Sequence, residues 1–170
     1  MSSLGLKGLF MKSVKLTLSL VLSSLLFSGC SMTPVQQTSQ DVNRADFLYL
    51  RGNFTWWDTE EHAKVERIQG QVYKSTVELI ADGQPYEFKF ADANWSLGAN
   101  CGYYEESDQK VTTENKVSAN CNAKFEPFKF VPAETGEYDF YIDFSNASLP
   151  QVWVRPTPKD SLLKKIVPGL

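Results

Sequence analysis

Gly136-Glu137-Tyr138-Asp139-Phe140-Tyr141-Ile142-Asp143-Phe144 is the stretch on which the fold turns. Tyr138, Phe140, Ile142 and Phe144 occupy every second position, with Glu137, Asp139, Tyr141 and Asp143 between them. A strand sends successive side chains to opposite faces. The alternation therefore predicts a half-buried strand, apolar side inward and polar side outward. Thr135-Gly136 supplies the turn before it, and Gln151-Val152-Trp153-Val154-Arg155 reads as the last strand, closed by Pro156 and Pro158. Upstream, Tyr73, Ser75, Val77 and Leu79 alternate with Lys74, Thr76 and Glu78. Asp82-Gly83 and Pro85 then mark a turn. Tyr86, Phe88 and Phe90 alternate with Glu87, Lys89 and Ala91, and Phe128-Lys129-Phe130-Val131 ends at Pro132. Phe47-Leu48-Tyr49-Leu50-Arg51 opens the series and stops at Gly52. Short strands between turn signals, with no long helical period and no internal repeat, predict a single antiparallel β-sandwich, all-β in class.

The first thirty residues read differently. Lys7, Lys12 and Lys15 are their only charges, and an apolar run from Leu16 to Phe27 leads into Ser28-Gly29-Cys30. This is the pattern of an export signal over 1–29, starting at Met1 or Met11. At roughly 1.5 Å per residue, a dozen helical residues fall short of a ~30 Å hydrocarbon core. Leu26-Phe27-Ser28-Gly29-Cys30 resembles the lipobox of bacterial lipoproteins, with Phe27 where that motif usually has Leu. The resemblance implies lipidation of Cys30. Ser31 in place of the Asp that marks inner-membrane retention implies an outer-membrane lipoprotein, facing either the periplasm or the cell surface. Residues 30–44 are polar and aperiodic and predict a flexible tether. The sandwich is expected over 45–157 and a tail over 158–170, whose Ser161 to Ile166 could form a turn or two of helix.

Without the signal the chain is about 141 residues, enough for one domain with a core. The signal holds three of the 17 basic residues and none of the 20 acidic ones, so 14 against 20 leaves a net charge of about −6. An acidic chain without a basic cluster is a poor partner for nucleic acid, whose phosphates need Lys and Arg. With Cys30 lipidated, Cys101 and Cys121 are an even pair in an oxidising compartment and are expected to form a disulfide. Closing a loop of about 20 residues stabilises by roughly 3 kcal/mol in the chain-entropy model. No metal site is expected: His62 is the sole histidine, far from the cysteines, and there is no CxxC. No cofactor is expected either.

A Ser-His-Asp or Cys-His centre would have to use His62, which lies in the charged run Glu60-Glu61-His62-Ala63-Lys64 and reads as a solvated loop. Glu60-Glu61 and Glu105-Glu106 are adjacent pairs, whereas a glycosidase needs two carboxylates flanking one bond about 5–10 Å apart. No glycine-rich phosphate loop is present. The chain is not expected to be an enzyme. What stands out is tryptophan at turns: Trp56-Trp57 after Gly52-Asn53-Phe54-Thr55, and Trp95 after Asp92-Ala93-Asn94. Packing at a sheet edge would explain any one of them. An exposed indole, however, offers a flat apolar face to the C–H face of a pyranose, while polar side chains replace water at the ring-edge hydroxyls. Lys89, opposite Phe88 and Phe90, is expected to put its ammonium into solvent near Trp95.

Leu48-Tyr49-Leu50-Arg51-Gly52-Asn53-Phe54-Thr55-Trp56-Trp57 resembles the opening strand and G-S-F-N-N-W turn of family 48 carbohydrate-binding modules, the glycogen- and starch-binding domains of kinase regulatory subunits and amylolytic enzymes. Tyr86-Glu87-Phe88-Lys89-Phe90 with Asn94-Trp95 is similar to their Y-x-[FY]-K-F…W segment. Ala119-Asn120-Cys121-Asn122-Ala123-Lys124-Phe125, Gly136 to Asp143, and Pro150-Gln151-Val152-Trp153-Val154 resemble segments of related modules on bacterial pullulanases and amylases. The resemblance runs from about 46 to 156. It implies an immunoglobulin-like sandwich of the early-set type and an α-glucan ligand (starch, glycogen or maltodextrin) held by Trp57, Lys89 and Trp95. Asn122, then Asn120, match the family's contributing Asn. The departures are Trp56 beside Trp57 and an insertion from Gly102 to Asn120, which would extend or cover the site. The implied role is a lipid-tethered glucan binder serving an envelope amylase or porin. The competing reading is a protein-docking or accessory lipoprotein of the envelope that reuses the same sandwich.

Overall fold

The structure, a computed structural model, describes residues 42–159. The signal peptide, Cys30, most of the tether and the tail beyond Lys159 lie outside the described residues. The described chain is built from strands β1 (Tyr49–Gly52), β2 (Glu66–Gln69), β3 (Val72–Leu79), β4 (Tyr86–Ala91), β5 (Asn100–Tyr103), β6 (Lys110–Val111), β7 (Val117–Asn120), β8 (Phe128–Phe130), β9 (Gly136–Asp143) and β10 (Gln151–Pro156). Its helical pieces are single 3-10 turns. One layer runs β2-β3-β9-β10-β7. The other is centred on β4, with β1 along one edge and β5 and β8 along the other, and β6 beyond β8. A short β5–β7 pairing joins the layers. Every strand pairing is antiparallel except β6 with β8.

The alternation predicted for β9 is realised on its inner face. Tyr138, Phe140, Ile142 and Phe144 are at most 4 % exposed. Phe140 meets Phe88 of β4 at 4.8 Å and Phe130 of β8 at 5.8 Å between ring centroids, so aromatic edges and faces join the two layers. The inner residues of β3 behave likewise: Tyr73, Ser75, Val77 and Leu79 are buried, and the Ser75 hydroxyl is satisfied by the Ala63 carbonyl at 3.0 Å.

Two expectations change. Asp139, read as an outward polar residue, is 2 % exposed. It survives burial because its carboxylate accepts from Thr76 at 2.6 Å, Thr157 at 3.1 Å and Tyr141 at 3.1 Å, and pairs with Lys74 at 3.4 Å. The tether also ends earlier than expected. At 42–44 the chain is already docked: Tyr73 Oη accepts from the Arg44 amide at 3.2 Å and donates to the Val42 carbonyl at 3.1 Å.

The Cys101–Cys121 disulfide is formed. The segment it frames is neither a flap nor an extension of the site. Its residues build β6, β7 and most of β5, and so complete the sheets.

Candidate functional site

The site rests on the outer face of the β4 layer. Arg51 of β1 lies opposite Lys89 of β4, and Ala91 of β4 lies opposite Asn100 of β5. Cross-strand partners and residues two apart share a face. Arg51, Lys89, Ala91 and Asn100 therefore project together, away from Phe88 and Phe90 in the core. An outer face would normally be wet, yet Arg51, Lys89 and Asn100 are 6 %, 3 % and 6 % exposed. Three loops cover them.

The first loop follows β1. A 3-10 turn, Asn53–Thr55, is fastened by the Thr55 hydroxyl, which accepts from the Gly52 amide at 3.0 Å and donates to its carbonyl at 3.1 Å. Gly52 is required there: a Cβ would stand 2.4 Å from the Glu87 carbonyl oxygen. The chain then turns through left-handed backbone at Trp56 (φ 53°) and Trp57 (φ 64°), closed by the Trp57 amide on the Gly52 carbonyl at 2.8 Å. The second loop, 92–99, places Trp95 at φ 57°. Asp92 anchors it by accepting from the Ser96 amide at 2.8 Å. Among the described residues, these three tryptophans are the non-glycine positions with positive φ. Such backbone is strained for bulky side chains and persists where the surroundings enforce it.

Arg51 is the enforcer. Its Nε donates to the Trp57 carbonyl at 2.7 Å, joined by Nη2, and Nη1 donates to the Asp92 carbonyl at 2.6 Å. Its guanidinium also lies 3.7 Å from the centroid of the Trp95 ring. One side chain thus locks both tryptophan turns and supports one indole. Burial pushes its pKa down, opposed by Asp58 and Asp92. The outcome is two indoles with centroids 6.3 Å apart and planes tilted by 47°.

The third loop, 121–127, closes over Lys89, whose ammonium donates to the Ala123 carbonyl at 3.0 Å. The solvent-facing Lys89 expected from sequence is corrected here. It lies on the predicted face, but main-chain carbonyls from a distant segment cover it. Burial lowers its pKa to about 8, with Glu126 acting in the opposite sense.

Trp57, Lys89, Trp95 and Asn100 line one groove of about 540 Å³, and Lys124, Phe125 and Pro127 complete it. Trp57, Lys89 and Trp95 are thus brought together as expected, but the rest of the expected set is not. Trp56 is 87 % exposed and is not part of the lining. Asn122 accepts from the Gly98 amide at 3.0 Å, and Asn120 accepts from the Asn122 amide at 2.9 Å, so both brace the loops around the groove. Sequence reading missed Asn100 and Phe125 as lining residues and Arg51 as the clamp. Arg51 had one available signal, since it shares the face of Lys89 on the neighbouring strand. The groove can stack flat apolar faces and offer ammonium and amide groups at their edges. His62, Glu60, Glu61, Glu105 and Glu106 are exposed and outside its lining. Among the described residues, no three His, Cys, Asp or Glu side chains gather where they could hold a metal ion.

No family model matches the sequence, and no curated protein matches it. Among solved structures, the chain described as "Ligand induced structure of AmyP-SBD" superposes with a TM-score of 0.51 at 17 % identity, covering 85 % of this chain and 97 % of that one. At that identity the likeness is one of fold, and it places this chain among β-sandwiches of that shape.

Proposed function

We propose that this protein is a non-catalytic α-glucan-binding module, held at the outer membrane through a lipid on Cys30. The observation that carries the reading is the pair of indoles, 6.3 Å apart and tilted by 47°, over a groove whose base holds Lys89 and Asn100. Each indole receives the C–H face of one sugar ring, and the tilt between them follows a chain that bends from residue to residue, as α-linked glucans do. Lys89 then donates to ring-edge hydroxyls from a site where it has few competing waters. The solved structure with the same fold is named as an SBD, the starch-binding domain of an amylase, which supports the reading without assigning the glycan. A weak sugar-binding face gains from being held at high local concentration, the service a lipid tether performs. An envelope amylase or porin would consume what it holds.

Affinity electrophoresis in amylopectin gels tests the glucan reading. Wild type should be retarded, and a Trp57→Ala, Trp95→Ala double variant should run as in an empty gel. Equal mobility of the two sinks it. The anchor is tested separately by Cys30→Ala, which should move the protein from the membrane to the soluble fraction. A second reading, protein docking, draws on the exposure of Trp56 (87 %), Leu97 (79 %) and Phe125 (86 %) around the same loops. Capture of an envelope protein that free maltooligosaccharide does not displace would favour it.

A further inference from the structure

Asn100 is the group in the groove that the fold leaves incomplete. It is 6 % exposed, it lines the groove, and its Oδ1 is buried without a hydrogen-bond partner. Buried polar atoms are nearly always paired, and an exception calls for an explanation. Its neighbours show that the backbone around it is complete. The Asn100 amide donates to the Cys121 carbonyl at 3.2 Å, and its own carbonyl accepts from the Ala123 amide at 3.1 Å. Only the side chain is left over. Lys89, on the same sheet face and diagonally placed across the β4–β5 pairing, already has carbonyl partners; Asn100 has none.

We infer that Asn100 is the specificity-determining residue of this groove. Its primary amide and the Lys89 ammonium together read two neighbouring free hydroxyls on one pyranose edge, while the indoles hold the ring face. The inference rests on the glucan-binding reading and deepens it. A primary amide has an acceptor and two donors at nearly the same place, and a half-turn about its terminal bond exchanges them. It therefore suits a hydroxyl, which both donates and accepts. A lysine supplies only donors. The pair accepts a vicinal diol and rejects the same ring when those hydroxyls are capped, because the rejected ligand leaves buried polar groups unpaired.

The full chain, purified in mild detergent, is titrated calorimetrically with β-cyclodextrin, a cyclic α-glucan, and with its 2,3-di-O-methyl derivative, which keeps the apolar ring faces. Wild type should bind the methylated ring at least about tenfold more weakly. Asn100→Leu should bind β-cyclodextrin about tenfold more weakly than wild type does, and should treat the two ligands alike to within about twofold. Its melting temperature should equal or exceed that of wild type, because an unpaired amide has been replaced by an apolar group of similar size. Undiminished β-cyclodextrin affinity in Asn100→Leu, alongside lost affinity in Trp57→Ala, overturns the role of Asn100 and leaves the glucan reading standing. Lost affinity with a melting temperature several degrees lower makes Asn100 a structural residue and also overturns the inference. Absence of binding to either ring by wild type overturns both readings.

Discussion

The outer faces of the two layers carry the same kinds of residue arranged to opposite ends. On the β9 layer, Lys74, Tyr141 and Trp153 are successive cross-strand partners. Tyr141 and Trp153 stack at 5.0 Å with planes 5° apart, and the Lys116 ammonium lies 3.9 Å from the Trp153 centroid, on the β7 side. Both faces of that indole are taken. The buried polar group beneath, Asp139, has its three hydroxyl donors and an ammonium, and together with burial it pushes Tyr141 up to about 12. On the β4 layer the indoles are tilted rather than stacked, the surrounding backbone is strained, and the Asn100 amide lacks a partner. An aromatic residue beside a cation is therefore no evidence of a binding site in itself. What separates the open face from the closed one is whether rings and polar atoms have already found each other.

The contrast breaks most visibly at Asp139. Asp139→Ala should destabilise the fold by about 3–4 kcal/mol, since it strands a mostly buried lysine and three hydroxyls, and should leave glucan affinity within about twofold of wild type. Chemical denaturation and titration on the same sample check both halves. Replacing Cys101 and Cys121 together by Ala should remove about 3 kcal/mol of stability. Unlike Asp139→Ala, it should also weaken binding, because Cys121 receives the amides of Gly98 and Asn100 beside the groove.

For the rings themselves, Trp57→Ala with Trp95→Ala should lower amylopectin affinity by about 30- to 150-fold, at about 1–1.5 kcal/mol per stacking contact. Trp153→Ala should leave retardation unchanged and lower only the melting temperature. The smallest effect is a pH dependence. Lys89 has its pKa depressed to about 8, so glucan affinity should fall a few-fold as pH rises from 7 to 9.5, and Lys89→Met should abolish the trend. Its contribution to stability has the other sign. The unfolded chain holds this proton up to the ordinary lysine range, so stability should rise between about pH 8 and 10.5.

Much of the frame was legible from residues alone, because period-two alternation is a local property. The inner faces of β3 and β9 lie where Tyr73 to Leu79 and Tyr138 to Phe144 predict. Burial of an outer-face residue is not local. Lys89 is hidden by Ala123 and Lys124, and Asp139 is rescued by Thr76 and Thr157, each more than a dozen residues away along the chain. The tryptophan turns announced themselves by composition, since Gly, Asn and Asp surround them. Asn100 did not, because an asparagine at the start of a short strand looks like any other turn residue until its missing partner is seen. Arg51 closes an apolar run and passes for an ordinary polar strand end, although it decides how the two indoles face each other.

The left-handed backbone at Trp56, Trp57 and Trp95 carries a last consequence. A bulky residue in that conformation costs about 1–2 kcal/mol, which glycine would not incur. The sandwich would hold together better without the very side chains that line or flank its groove. Selection of this chain for heat resistance alone, by passage or by library, should therefore discard those tryptophans early and return a sturdier protein with nothing left to hold.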